Sequence, residues 1–461
     1  MSTVAPERLA PRERIVLVLL ALVTAFLFAD QNLMAPNLTQ IGNEFGFDPV
    51  ERDTKLGSWI AAAFFSVGGL VSLGVGYLTD RLPRKWLFVG VVVVGEIPCL
   101  MTGFVRSYEE LFMARMLTGI GLGAAMPLLY SLLGDYFSAR ARAAASAVTG
   151  FAMGVGIAGG QLLAGSIGPT MGWRLPFVII AVPNFVLIAL VALIMREPTR
   201  GGAEEALRGM KERGEAYEEK VDWARWKALF KIRTNALLFL QGLPGTVPWG
   251  MLFTFFNDYF AQDKGVGVGP ATWLVMGIGA SAIGGGLAGG LLGNRLYNKN
   301  PMYLPILSGA AVLVGIVPTL VMINYPAHTG GGPPPIALPL FIGALTGFVI
   351  SIPSANVRAM LVNVNAPETR GSVFGLFNLA DDLGKGLGPF LIGPMVVALG
   401  RHGAFNFAAS LWVVCGIVLL ASTRSFVRDQ RALEEELAAR AARATDKAAA
   451  GPAPVPVAEA S

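Results

Sequence analysis

The chain alternates long apolar runs with short polar, basic segments over almost its whole length. An α-helix needs about 20 apolar residues to cross a hydrocarbon core about 30 Å thick. Runs of that length stand at 15–37, 57–78, 86–104, 109–134, 143–168, 175–195, 235–260, 271–293, 302–324, 337–362, 372–399 and 404–423. Each is read as a transmembrane helix. The first begins at Ile15 behind a polar, basic stretch and continues without an A-x-A-like cleavage site. It is too long for the apolar region of a signal peptide and is read as a retained span.

The segments between the runs test this count. With both termini on the cytoplasmic side, the inner segments hold 27 Lys and Arg residues and the outer ones six. Three more, Arg115, Arg358 and Lys385, lie within runs. A miscount by one span would scramble this asymmetry, because basic residues collect on the cytoplasmic side. The organisation predicted is a cytoplasmic N-terminus (1–14), a six-helix bundle (15–195) and a cytoplasmic linker (196–233). A second six-helix bundle (234–424) and a cytoplasmic tail disordered at its end (425–461) follow. The linker's charge-dense part, 204–231, forms surface helices or a solvated connection between the halves. The expected setting is a cell's inner membrane, with the chain acting as a monomer.

Composition agrees. Apolar residues make up 54% of 461 and charged residues only 15%, where soluble proteins carry about 25%. The 57 glycines and 29 prolines suit membrane helices, in which small residues permit close packing. A net charge of +5 does not imply nucleic acid here, because the basic residues follow the membrane topology. Cys99 and Cys415 lie far apart in apolar runs and are read as packing residues.

The two halves repeat. At an offset of 214, Leu73, Gly76, Leu78, Arg81, Leu82 and Lys85 match Leu287, Gly290, Leu292, Arg295, Leu296 and Lys299, and Asp80 is answered by Asn294. At an offset of 228, Arg142, Gly156, Gly160, Gly165, Gly172 and Phe177 match Arg370, Gly384, Gly388, Gly393, Gly400 and Phe405. The fold class expected is therefore an all-α membrane protein of twelve helices in two pseudo-symmetric bundles. Transporters use parallel repeats of this kind to alternate access to a site near the midplane.

The segment Gly76-Tyr-Leu-Thr-Asp80-Arg81-Leu-Pro-Arg84-Lys85, its echo from Gly290 to Lys299, and Arg115-Met-Leu-Thr-Gly119-Ile-Gly121 resemble motifs of the major facilitator superfamily. Phe28-Ala-Asp30-Gln31 and Gln241-Gly-Leu-Pro244-Gly245 resemble the spinster-type subfamily, with Gln31 and Leu122 as departures from its pattern. The superfamily resemblance implies transport by alternating access. The subfamily resemblance implies a lysolipid or sphingolipid substrate. In such proteins the residue matching Asp80 pairs across the halves, and the arginine matching Arg115 neighbours a titratable group on the first helix.

A charge inside a span costs about 2.5–3.5 kcal/mol on insertion scales and needs a partner or a purpose. Asp30 and Arg115 fall at similar depth. They are read either as a static pair fastening two helices or as a proton site whose affinity Arg115 sets. Asp381 and Lys385 are spaced i,i+4 and can bond on one helix face, which leaves Asp382 to meet Arg358. With Asp80, Arg81, Arg84, Asn294 and Arg295, these are candidates for a gate on the cytoplasmic side. Arg81, Arg84 and Lys85 equally suit lipid headgroups. Pro244 and Pro248 predict a bent or broken seventh helix beside a ligand cavity. Gln31, Gln161, Trp249, Asn257, Asn356 and Lys385 are the cavity candidates, with Gln161, Asn257 and Asn356 equally suited to interhelical hydrogen bonds, and Glu96 has no assigned role.

No phosphate-binding loop, metal-ligand cluster or nucleophile–base set is present in the sequence, so no cofactor or metal is expected and the protein is not read as an enzyme. The leading function is proton-coupled secondary transport of a small organic or amphipathic solute. The alternatives are lysolipid or sphingolipid translocation, and a transport-inactive sensor acting through the 196–233 linker.

Overall fold

The computed structural model describes residues 10–79, 82–137, 139–198, 229–329, 335–366 and 369–449, and no strand occurs among them. The first-half helices are α1 (Pro11–Ala29), α2 (Ile60–Thr79), α3 (Arg84–Thr102), α4 (Tyr108–Tyr136), α5 (Ala139–Met171) and α6 (Leu175–Ile194). The second half holds α7 (Arg233–Asp258), α8 (Val268–Tyr297), α9 (Tyr303–Ile323) and α10 (Ala337–Val364, with a turn at Ile352). The helical segment Arg370–Ala449 is two helices, α11 (370–399) and α12 (401–449), because Gly400 reverses the chain at φ 70 and ψ 166. Length and hydropathy alone join them into one 64-residue span, Val373–Glu436, about three times what a bilayer accommodates. Twelve crossings result among the described residues, and an even number puts the start of α1 and the end of α12 toward one face. We call it the terminal face and its opposite the far face.

Local chemistry sets several helix ends. α4 starts where Ser107 accepts the N–H of Glu110, with Glu109 and Glu110 in the first turn against the helix dipole. α7 starts where Asp429, beyond the membrane part of α12, accepts the N–H and hydroxyl of Thr234 at 2.9 and 2.8 Å. Residues 430–444 of the tail are a direct helical continuation of α12.

The pairing of helices is the same in each half. α1 packs on α5, α2 on α4 and α3 on α6; correspondingly α7 packs on α11, α8 on α10 and α9 on α12. The halves meet along α2–α11 and α5–α8. The matched glycines lie at these contacts. A Cβ on Gly156 or Gly160 would strike the backbone of Ala25 or Ala29 in α1, and one on Gly384 or Gly388 would strike Thr246 or Val247 in α7. Gly165 and Gly393 instead face the opposite half, at Thr272 and Ser58. Gly172 and Gly400 close the two equivalent turns with φ of 94 and 70. Outside the bundle the rule of soluble proteins inverts, with Leu193, Leu287, Leu291 and Phe341 each more than 60% exposed. Hydrocarbon is their solvent.

Two expectations need correction. The first run is not one helix: α1 gives way to a 3-10 turn at Asp30–Asn32 and another at Ala35–Asn37 before Leu38–Glu44. Asp30 thus sits at a break where the regular backbone ladder ends, not within a helix. Conversely, α7 runs unbroken through Pro244 and Pro248, because packing against α11 and α12 supports the turns that lose their hydrogen bonds. Residues 1–9, Asp80, Arg81, 199–228 within the linker, and 450–461 within the tail lie outside the described residues.

The glycine contacts predict a paired response. Gly160→Ala and Gly388→Ala should each destabilise by at least about 1 kcal/mol through overpacking. Gly159→Ala, which meets no atom within 4 Å, should leave the melting temperature of the purified protein unchanged.

Candidate functional site

Between the halves lies a cavity of about 550 Å³, bounded by α5, α7, α8, α10, α11 and α12. Its walls are mainly apolar, with Trp249, Phe253 and Trp412 forming an aromatic side. Trp249 stacks on Phe253 at 5.6 Å and meets Trp412 edge-on at 6.0 Å. The Trp412 indole donates to the Gly245 carbonyl at 2.8 Å, between the two prolines of α7. Gln161, Gln241, Ser351, Arg358, Asp381 and Lys385 supply the polar groups. The Gln161 amide nitrogen has no hydrogen-bond partner among the described residues.

The candidates divide. Gln161, Trp249 and Lys385 line this cavity, and so do Arg358 and Asp381, expected in a gate. Asn257 does not line it: it is fully buried and donates to Thr272 of α8 at 2.9 Å, an interhelical bond. Asn356 is likewise buried and donates back to Ile352 in its own helix. The expected Asp381–Lys385 bond is also not formed. Lys385 binds Asp382 at 3.0 Å, an i,i+3 contact, and this takes the acid that was expected to meet Arg358. Asn294 and Arg295 are exposed at the terminal end of α8. Arg84 opens α3, where Glu197 accepts the N–H of Lys85.

A second, smaller chamber of about 50 Å³ holds Gln31, Phe64 and Arg115. That volume admits a few waters at most. Phe253 borders both spaces and separates them. Here one Arg115 nitrogen reaches both Asp30 carboxylate oxygens at 2.7 and 2.9 Å, while its other donates to the Asp30 carbonyl at 3.1 Å. The rings of Phe64 and Phe177 stand 5.2 and 5.3 Å from the guanidinium. Both charged residues are at most 2% exposed. The break after α1 is what lets one guanidinium take a side chain and a main-chain acceptor together.

The far face carries a network that the sequence reading passed over. Arg401, at the start of α12, grips Asp53 through two bonds of 2.7 Å and reaches Asp258 and Asp263 at 2.6 Å each. Arg52 adds bonds to Asp53 at 3.0 Å and to Thr39 at 2.7 Å, and Thr39 donates to Asp258 at 2.6 Å. Asp53, Arg52 and Thr39 belong to the first half; Arg401, Asp258 and Asp263 belong to the second. The network ties the halves and closes the far face. Its acids sit on or beside π-helical turns, Arg52–Trp59 and Tyr259–Asp263, a local geometry found often at functional sites. A count of loop charges by sign registered Arg52 and Arg401 as outer cations and had no means of pairing them.

The family model described as Major Facilitator Superfamily matches residues 20–332. The chain belongs to this superfamily. Like other members of the Major Facilitator Superfamily it is a multi-pass membrane transporter and not an enzyme. It is 24% identical over 436 residues to the probable galactarate/D-glucarate transporter GarP of Escherichia coli K12, covering 88% of this chain and 92% of that one. It is 22% identical over 395 residues to the cis,cis-muconate transport protein of Acinetobacter baylyi, covering 85% and 89%. Its fold matches a crystal structure of a bacterial homolog of the human lysosomal transporter Spinster, inward-facing and unoccupied. That match has a TM-score of 0.78 and 19% identity, and covers 92% of this chain and 99% of that one.

The far-face network makes a testable claim. Asp53→Asn should favour opening there, because truncating one partner of a buried ion network costs about 3–5 kcal/mol. A cysteine at Gln31 in a Cys99→Ser, Cys415→Ser background should then react at least about tenfold faster with a membrane-impermeant maleimide added at the far face.

Proposed function

We propose that this transporter moves a small organic acid across a cell's inner membrane by alternating access, coupled to protons. The buried Asp30–Arg115 pair carries the proton part of this reading. It is an ion pair inside a span, beside a chamber large enough for water, one ring away from the main cavity. Proton binding to Asp30 cancels the charge that holds Arg115, so occupancy by a proton changes what fastens α1 to α4. The alternative, a static brace, needs no adjoining chamber.

Two observations support the organic acid. Arg358 and Lys385 bring positive charge into a cavity with apolar and aromatic walls, which suits a carboxylate carried on a compact body. Two relatives that cover most of this chain are named for galactarate or D-glucarate and for muconate, all carboxylates. A second reading, translocation of a lysolipid, draws on the spinster-like fold and the predominance of apolar lining. In this scheme the Lys385–Asp382 pair exchanges its acid for the substrate's carboxylate during loading, while the far-face network stays closed.

Reconstituted protein should accumulate an organic acid when a pH gradient is imposed, and Asp30→Asn should lose the response to the gradient while still binding substrate. Flux insensitive to the gradient in the unmodified protein removes the coupling claim. Arg358→Gln should raise KM for the acid at least about tenfold, or about 1.4 kcal/mol. An unchanged KM, with competition by lysolipid, would turn the assignment to the lipid.

A further inference from the structure

Glu96 lies in the middle of α3 and is fully buried. One of its oxygens accepts the amide N–H of Asn184 from α6 at 2.5 Å. Among the described residues its other oxygen has no donor, and neither has the carbonyl oxygen of Asn184. Two acceptors on one pair of side chains thus lack the same thing. A carboxylate can only accept, whereas the acid form supplies an O–H. An unmet acceptor in this medium is costly, so the missing donor has a source: a proton on Glu96 itself.

Charge leads to the same place. α4 contributes Arg115 to this region, the turn after α1 contributes Asp30, α6 contributes the neutral Asn184, and α3 contributes Cys99 one turn beyond Glu96. The charges of Asp30 and Arg115 act on both Glu96 and Cys99. The guanidinium is already bonded to both Asp30 oxygens and to the Asp30 carbonyl. An ionised Glu96 would set two negative charges against one positive in the interior of the first half.

We infer that Glu96 carries a proton in this far-face-closed conformation and forms with Asn184 a neutral acid–amide bridge between α3 and α6, as a second proton-binding group beside Asp30. The bridge holds whether or not Asp30 couples transport, so the inference goes beyond the coupling proposed above. Its consequence for transport is an alkaline limit. When Glu96 ionises, the bridge loses its donor and gains an unpaired charge, and flux falls in a step that Asp30→Asn leaves in place.

The test uses the full chain in liposomes. Infrared difference spectra between the unmodified protein and Glu96→Gln at neutral pH should show the carbonyl band of a protonated carboxylic acid, lost only at alkaline pH. In flux measurements the alkaline fall should disappear in Glu96→Gln, while its melting temperature stays unchanged, since the amide can still bridge to Asn184. Asn184→Leu should move the acid band to higher frequency by removing its hydrogen-bond partner. A missing acid band, or one that Asn184→Leu does not move, overturns the inference; so does a Glu96→Gln profile that keeps the alkaline fall. The spectra do not depend on a pH gradient, so gradient-insensitive flux in the unmodified protein would count against the coupling proposal alone.

Discussion

A charge surrounded by hydrocarbon must meet an opposite charge, a proton or water, and this requirement organises the molecule. Asp30 is answered by Arg115, and Lys385 by Asp382. On the far face three acids converge on Arg401, with Arg52 beside them. Glu96 has no cation, and its amide neighbour accounts for only part of its hydrogen bonding. Asp30–Arg115 and Glu96–Asn184 each join separate helices, Lys385–Asp382 lies within one, and the Arg401 network joins the halves; each can be altered by adding a proton, a solute or water.

The three ionic sites differ in what they join. Asp30 and Arg115 lie within the first half and Lys385 and Asp382 within α11, so both can change without moving one half against the other. The Arg401 network spans the halves, and loosening it requires their relative movement. A change at either pair is therefore internal to one half, while the far face is held by contacts between the halves. Phe253 lies where these regions meet, touching the small chamber beside Arg115 on one side and the main cavity on the other.

Much of the fold was legible because its signals are local or periodic. Apolar runs and the distribution of basic residues set the number of crossings. The glycine register at an offset of 228 located real contacts: Gly156 and Gly160 pack on α1 as Gly384 and Gly388 do on α7, and Gly172 and Gly400 turn equivalent corners. What failed depended on tertiary support. Prolines in α7 argue for a bend or a break when the helix is considered alone, yet it continues as one helix through both. Spacing allows Lys385 either acid, and only packing selects Asp382. Asn257 and Asn356 have the polarity of cavity residues, but their side chains turn into helix contacts. The far-face network was least visible: its partners are up to 348 positions apart, between Asp53 and Arg401, and no periodicity connects them.

The arrangement of charge around Arg401 also ties the molecule to its ionic surroundings. While the far face is shut, Asp53, Asp258 and Arg401 are buried away from dissolved ions, whereas Asp263 at the edge is partly exposed. Once the halves part, water and counter-ions reach the separated acids and arginines, and salt damps their attraction over roughly 10 Å at 0.1 M. Ionic strength on that one side therefore weights the open form over the closed one, so brackish and dilute environments would set different resting postures for the same polypeptide.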